Sequence, residues 1–328
     1  METTVPPQSK VADLEPAIPS RSLGQEAIQR LFKNKASVMG IVIIIFFAFI
    51  AAFAPIIAPH NPLKIYDGKG FLPPAWVKES NSGKAGDPQF LLGTDTLGRD
   101  VLSRVIYGAR VSMIVGFIPV IIILVTGVTV GLFAGFKGGQ TDMILMRITD
   151  VMYGFPDLLF FIAVLVALRD AWIGEIMNGL FLLFCALALV NWVGVARIMR
   201  GQVLSLKEKE FIEAARCIGV KNSRIMSRHL LPNSLGPIIV VAAFLIPSMI
   251  ITEAILGYLG LGLRPATDPE SFFITSWGVL LLEGQTAINA QPWILLAPAI
   301  CVALVVLAFT FLGDGLRDAL DPRMRGTR

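Results

Sequence analysis

The sequence predicts an all-α, polytopic membrane protein with six transmembrane helices. Three observations carry that expectation. Hydrophobic residues fill 55% of the 328 positions and charged residues only 16%, against about 25% charged in ordinary soluble domains. The apolar residues gather into six blocks, each near the ~20 residues that a bilayer core requires. Between the fourth and fifth blocks, residues 197–229 hold eight basic and three acidic side chains, a net +5 in a chain whose total is +4. A segment so charged belongs in water, and the positive-inside rule assigns it to the cytoplasm. Charge concentrated in one loop does not suit a nucleic-acid surface, so no nucleic-acid partner is expected.

Taken in order, residues 1–35 read as a cytoplasmic leader and approach helix, with Pro6, Pro7, Pro16 and Pro19 ahead of the first apolar periodicity at Leu23. Arg30, Lys33 and Lys35 then lead into the first transmembrane helix, residues 36–59. Ala52-Phe-Ala54 mimics a signal-peptidase site, but the apolar run exceeds the ~7–15 residues of a signal-peptide core. The helix is therefore expected to be retained, its N-terminus inside. Residues 60–110 follow as an external loop, where Leu97, Val101, Leu102, Val105 and Ile106 recur at helical spacing. That spacing predicts an amphipathic helix lying along the outer surface. Arg99, Arg104 and Arg110 run against the positive-inside rule on that side, with Asp95 and Asp100 offsetting part of the charge.

The remaining core, residues 111–313, holds five spans. In the second span, residues 111–136, Gly127, Gly131 and Gly135 fall at every fourth position, a stripe that lets another helix approach its backbone. Residues 137–142 read as a short inside turn. The third span, residues 143–168, is interrupted by Arg147, Asp150, Pro156 and Asp157; Arg147 and Asp150 are placed to pair at i,i+3. The fourth, residues 176–196, contains Asn191, the fifth, residues 235–259, contains Pro247 and Glu253, and the sixth covers residues 293–312. Polar groups within a bilayer usually face a protein interior or a watery path. Asp157, Asn191 and Glu253 are therefore the transport-pathway candidates, with a structural partner as the alternative for Asp157. Residues 260–292 carry a net −2 and enough apolar side chains to dip toward the membrane from outside. Residues 314–328 form a cytoplasmic tail, which puts both termini inside.

Within the cytoplasmic loop 197–234, Phe211, Ala214, Ala215 and Ile218 recur at i, i+3, i+4 and i+7 as one apolar stripe. Lys209 and Glu213 can pair at i,i+4, and Gly219 stands where a helix stops. The reading is two short helices about a bend. Cys185, Cys217 and Cys301 make no disulfide framework, and His60 and His229 fall on opposite sides of the membrane, so no metal is expected. No G-x-x-x-x-G-K-[ST] stretch occurs to cradle nucleotide phosphates. Energy for any transport must then come from another chain. An ion-coupled secondary transporter would need a repeated half and its own ion site, and a membrane enzyme a catalytic constellation; neither is visible.

Glu213-Ala-Ala215, three residues and Gly219, followed by His229-Leu-Leu-Pro-Asn233, resembles the EAA loop of ABC-importer permeases. With Gly93-Thr-Asp-Thr-Leu-Gly-Arg-Asp100, Tyr107-Gly-Ala-Arg-Val-Ser112, Leu259-Gly-Leu-Gly262, Ser276-Trp-Gly278 and Gly313-Asp-Gly-Leu-Arg-Asp-Ala-Leu-Asp-Pro322, the chain from about Arg30 onward is similar to the C-type permease of dipeptide and oligopeptide ABC importers. The resemblance implies a type I ABC importer permease fold in the bacterial or archaeal cytoplasmic membrane, in contact with lipid. It implies a heterodimer with a B-type permease, two ABC ATPase subunits that bind ATP and Mg, and an external peptide-binding protein, with no cofactor and no catalysis in this chain. Glu210, Phe211, Glu213, Ala214, Ala215 and Gly219 are the residues it assigns to ATPase coupling. A nickel complex or glutathione is the alternative cargo. Residues 63–90 extend the outer region beyond a compact member of the family, and a tolerated insertion is the simpler expectation for them.

Overall fold

The computed structural model describes residues 23–79, 83–268 and 271–320, so most of the expected leader and the end of the expected tail lie outside the described residues. Among the described residues the regular structure is helical, apart from one isolated bridge between Thr94 and Asp100. The chain opens with α1 (Leu23–Lys33), α2 (Lys35–Ala52) and the short α3 (Ala54–Ile57). Asn34 separates the first two, and its Oδ1 accepts the Ala36 and Ser37 amides at 3.0 and 3.3 Å, an N-cap that starts α2 where the basic run gives way to apolar residues.

A folded outer segment leads to α4 (Val101–Lys137), then α5 (Gly139–Tyr153), α6 (Asp157–Leu168), α7 (Trp172–Glu175) and α8 (Leu180–Lys207). Next come α9 (Glu210–Cys217) and α10 (Asn222–Ile225), then a π turn at Met226–Leu230 that runs into α11 (Leu231–Tyr258). α12 (Trp277–Ala287) and α13 (Trp293–Leu320) complete the fold. Among the described residues, five helical runs are long and apolar enough to cross a membrane, and six if α5 and α6 together count as one span.

The packing is organised along α4, whose 37 residues measure about 55 Å. Along its second half it meets α8. A Cβ at Gly127 would stand 2.6 Å from Val195 Cβ, and one at Gly135 would stand 2.9 Å from Val203 Cβ. At Gly131 it would run into the Ala196 carbonyl oxygen. The glycine stripe thus serves helix packing, as its spacing predicts. One core surrounds this seam and includes Ile123, Leu187, Met199 and Val203. A second core forms where α2, α12 and α13 pack on the first half of α4, around Phe47, Trp277, Val305 and Phe309.

Between residues 97 and 168 the structure differs from the sequence reading in three places. The expected surface helix near residues 97–106 is the first turns of α4 itself; Asp100 caps it by accepting the Ser103 amide at 2.9 Å, and nothing breaks the helix before Lys137. The expected turn at 137–142 shrinks to Gly138 at φ +65, because α5 already starts at Gly139. The third span is two helices bent by 83° around Gly154-Phe155-Pro156. Proline supplies no amide hydrogen there, which explains the break.

Of the three arginines that strain the positive-inside rule, Arg99 and Arg104 are neutralised internally. Asp95 accepts from Arg99 Nε and from Arg104 Nη1, each at 2.7 Å. Glu283 of α12 accepts from Arg99 Nη2 at 3.2 Å and from both terminal nitrogens of Arg104. Arg110 donates to the Ala51 carbonyl at 3.2 Å and lies 4.2 Å above the Phe272 ring. Residues 63–90 are bound to the segment that follows them: Thr94 N–H donates to Leu72 O, Phe71 N–H to Asp95 O and Ala75 N–H to Leu91 O, at 3.0 to 3.2 Å. Phe90 is fully buried against His60 and Tyr66. The described part of the extension is a folded pad, further tied to the connection between α12 and α13 by Gln291 Nε2, which donates to Phe71 O at 3.0 Å.

Gly131→Leu should destabilise the protein by about 1–3 kcal/mol or more, since the added side chain meets backbone that cannot move aside. Gly194→Ala, on the same pair of helices but with open space at its Cβ, should be neutral or slightly stabilising. Thermal denaturation of the purified protein in detergent distinguishes the two; equal melting temperatures for both variants would contradict the seam.

Candidate functional site

The charged loop is carried on two rigid arms. α8 does not end at residue 196, where the apolar block stops, but continues for three further turns to Lys207. On the other side, α10, the π turn and α11 form one helical run from Asn222 to Tyr258. Helix α9 sits between these arms. Glu210 and Glu213 occupy its first turn and Arg216 its last, an arrangement that complements the helix dipole.

α9 ends in a paired set of backbone bonds. Gly219 N–H donates to Arg216 O and Val220 N–H to Ala215 O, each at 3.0 Å, with Gly219 at φ +75. This is the Schellman arrangement, and the left-handed φ is what makes glycine the favoured residue there. The sequence reading of Gly219 as a stop is met. The predicted Lys209–Glu213 ion pair is not formed; Lys209 instead precedes the helix, and its carbonyl accepts the Ile212 and Glu213 amides at 2.9 and 3.3 Å.

The apolar stripe divides. Ile212 and Ala215 are buried in the core beside Met199, Val203 and Ile225, whereas Phe211, Ala214 and Ile218 point outward, Ile218 being 80% exposed. Sequence periodicity misses Ile212, because on an eight-residue helix two adjacent apolar faces satisfy the same spacing and only the neighbours decide which one faces inward. Glu210, Phe211, Glu213, Ala214 and Gly219 therefore present one accessible surface, with Ala215 holding it from beneath.

Ion pairs fix α5 against the α8 arm. Arg200 meets Asp142 through two bonds of 2.5 and 2.6 Å. Arg197 donates to Asp150 at 2.8 Å and lies 4.4 Å above the Tyr153 ring. Asp150 thus pairs across helices with Arg197, and the predicted pairing with Arg147 within its own helix is not formed. Sequence spacing favours the local partner, while the packing of α5 on α8 supplies a closer one.

The three pathway candidates are not brought together; no hydrogen bond or ion pair joins any two of them. Asp157 is exposed at the first position of α6, at the 83° break, where an acidic residue suits a helix start. Asn191 is half-buried on α8, and its amide donates to Leu187 O of the same helix at 2.8 Å. Glu253 is fully buried, and its Oε2 accepts from the Ser112 hydroxyl at 3.1 Å. No group of three or more His, Cys, Asp or Glu able to hold a metal occurs among the described residues.

A helical architecture with five or six runs able to cross a membrane among the described residues, and a short helix mounted between two of them, is that of a multi-pass membrane protein. The comparisons agree. Residues 127–326 match the family described as binding-protein-dependent transport system inner membrane component, and residues 22–74 match the N-terminal TM domain of oligopeptide transport permease C. The chain is 40% identical to the dipeptide transport system permease protein DppC of Bacillus subtilis (strain 168), over 94% of this chain and 88% of that one. It is 37% identical to the oligopeptide transport system permease protein OppC of the same organism, over 93% of this chain and 92% of that one. To OppC of Escherichia coli (strain K12) it is 38% identical over 94% of each. A solved inward-facing structure of the MetNI methionine ABC transporter superposes with a TM-score of 0.50, covering 66% of this chain and 96% of that one at 16% identity, a likeness of fold. The chain belongs to the family of binding-protein-dependent transport system inner membrane components.

The Asp142–Arg200 pair is partly solvent-exposed, so a double-mutant cycle with Asp142→Asn and Arg200→Gln should return a coupling of about 0.5–1 kcal/mol, shrinking as salt is raised. Zero coupling at low salt would remove the pair as a brace.

Proposed function

We propose that this chain is the C-type permease subunit of an ATP-driven importer that moves dipeptides or oligopeptides across the cytoplasmic membrane. The observation that carries the proposal is α9, a short helix held rigidly from beneath by Ile212 and Ala215 while it presents Phe211, Glu213, Ala214 and Ile218 to a partner. Exposed apolar side chains beside acidic ones suit a protein groove better than water. The names of the relatives supply the peptide cargo and favour it over a nickel complex or glutathione.

In this reading the chain pairs with a B-type permease to enclose the pathway, two ABC ATPase subunits bind ATP and Mg, and an external binding protein delivers peptide. Counting α5 and α6 as one span gives six crossings, with both termini and α9 in the cytoplasm. α9 docks on an ATPase subunit, and closure of the ATPases moves α9 together with the arms to which it is fastened. Asp157 and Asn191 line or border the pathway. Glu253, enclosed between helices, acts from behind it.

Two variants test coupling. Glu213→Lys reverses the charge on the docking face, and Gly219→Val places a β-branched residue at φ +75, a strain of about 1–2 kcal/mol at the bend. Both should leave membrane assembly near wild type while lowering ATP-dependent peptide uptake about tenfold or more, the scale of a coupling free energy of 1–3 kcal/mol. Wild-type uptake in both would refute the assignment of α9. For the pathway, Asp157→Asn and Asn191→Leu should shift uptake or the range of peptides accepted in reconstituted vesicles; unchanged uptake and range in both would make these residues structural.

A further inference from the structure

The connection from α11 to α13 folds back as a hairpin whose tip is buried. After Tyr258 the chain turns at Gly260 and then passes inward, so that Ile274, Thr275, Ser276 and Trp277 are all buried. α12 then climbs back toward the folded outer pad, meeting Arg104 through Glu283. The depth of the tip is specified against α4. Trp277 Nε1 donates to Val105 O at 3.0 Å, and the Trp277 amide donates to Ser112 Oγ at 3.2 Å. Gly108 leaves the space for the indole, since a Cβ there would stand 2.8 Å from Trp277 Cδ1.

Glu253 is the third party. The same Ser112 hydroxyl that accepts from Trp277 donates to Glu253 Oε2, so one serine links α4, α11 and the start of α12. The other oxygen, Oε1, is buried and accepts no hydrogen bond of full geometry, with the Ser276 side chain close beside the carboxyl. It lies against the first turn of α12, where a Cβ on Gly278 would stand 3.0 Å from it and 2.9 Å from the Glu253 carbonyl oxygen. Backbone closeness continues on the same face, with a Cβ on Gly257 only 2.7 Å from Gly278 Cα. A fully buried carboxyl that fills a hole packing could fill is not the cheapest way to stabilise a membrane bundle. Its geometry selects one register of hairpin against rod.

The rod matters because of where it begins. Residues 222–258 form one helical run, about 55 Å long, whose first residues adjoin the Schellman turn of α9 and whose last turns carry Glu253. Pro237 and Pro247 lie between without interrupting it. We infer that Glu253 is a positioning residue that fastens this rod to the tip of the α12 hairpin, so that displacement received at α9 is delivered to the opposite face of the membrane. The inference rests on the permease reading above. It assigns the Ser112–Glu253–Trp277 cluster the task of passing movement between the ATPase side and the outer hairpin, and it makes Gly278 a requirement of the close approach of α12 to the Glu253 backbone and carboxyl.

The test uses the whole complex, this chain with its co-expressed permease and ATPase partners in proteoliposomes, with and without peptide-loaded binding protein. Glu253→Ala and Ser112→Ala should each speed hydrogen exchange of the 277–279 amides. Each should also lose about tenfold of the peptide-stimulated ATP hydrolysis, while basal hydrolysis and assembly yield are kept. Glu253→Gln, which retains an oxygen that can accept from Ser112, should behave as wild type in both measurements. The inference is overturned if Glu253→Ala exchanges as wild type, if Glu253→Gln loses as much as Glu253→Ala, or if basal and stimulated hydrolysis fall together in step with yield. Should Glu253→Ala fail to assemble, Ser112→Ala and Glu253→Gln carry the same comparison. A wild-type complex whose ATP hydrolysis ignores peptide-loaded binding protein would sink the permease reading, and the exchange measurement would still decide the hairpin contact.

Discussion

Everything else in this protein hangs on the close approach of α4 and α8. Helices in a bilayer gain nothing from leaving the lipid for one another, because the tails are as apolar as their side chains, so they associate through packing. Gly127, Gly131 and Gly135 remove the side chains that would hold the two backbones apart, and Val195, Ala196, Met199 and Val203 fill the space. That seam occupies one part of α4 and leaves its other half free to receive α2, α12 and α13 as the second core. It also places the α8 arm, and with it α9, at a defined distance from the rest of the bundle.

Polar groups then act as joints between elements that packing alone leaves free to slide. At one end, Arg197 and Arg200 join α8 to α5. At the other, Asp95, Arg99, Arg104 and Glu283 join the outer pad to α4 and α12. Between them, the Ser112 hydroxyl joins three elements through two hydrogen bonds. Charged pairs of this kind contribute modest stability where water reaches them, but each fixes one geometry between the elements it joins.

Much of the architecture is legible in the residues. The apolar blocks locate the spans, the glycine spacing announces a close helix contact, and Gly219 marks the end of α9. The bend between α5 and α6 is half legible: Pro156 signals a break, yet a proline inside a helix can kink it slightly or divide it, and its neighbours decide between the two. Asp150 and Glu253 show a different limit. Sequence places each in an apolar context and proposes a local partner or a watery path, but the groups they meet, Arg197 and Ser112, are 47 and 141 residues away. Ile212 was hidden for a third reason, the shortness of its helix.

The sequence by itself determined that this is a membrane protein, how many apolar blocks it has, which loop is charged, and which family its motifs resemble. Those properties follow from composition and local spacing, which the chain carries whatever its fold. Only the tertiary structure decided which face of α9 looks outward, that the described part of residues 63–90 is a folded pad, and that Glu253 is enclosed at the tip of a hairpin. Each of those is a question of which distant residues meet, and a buried group takes its character from its neighbours in space.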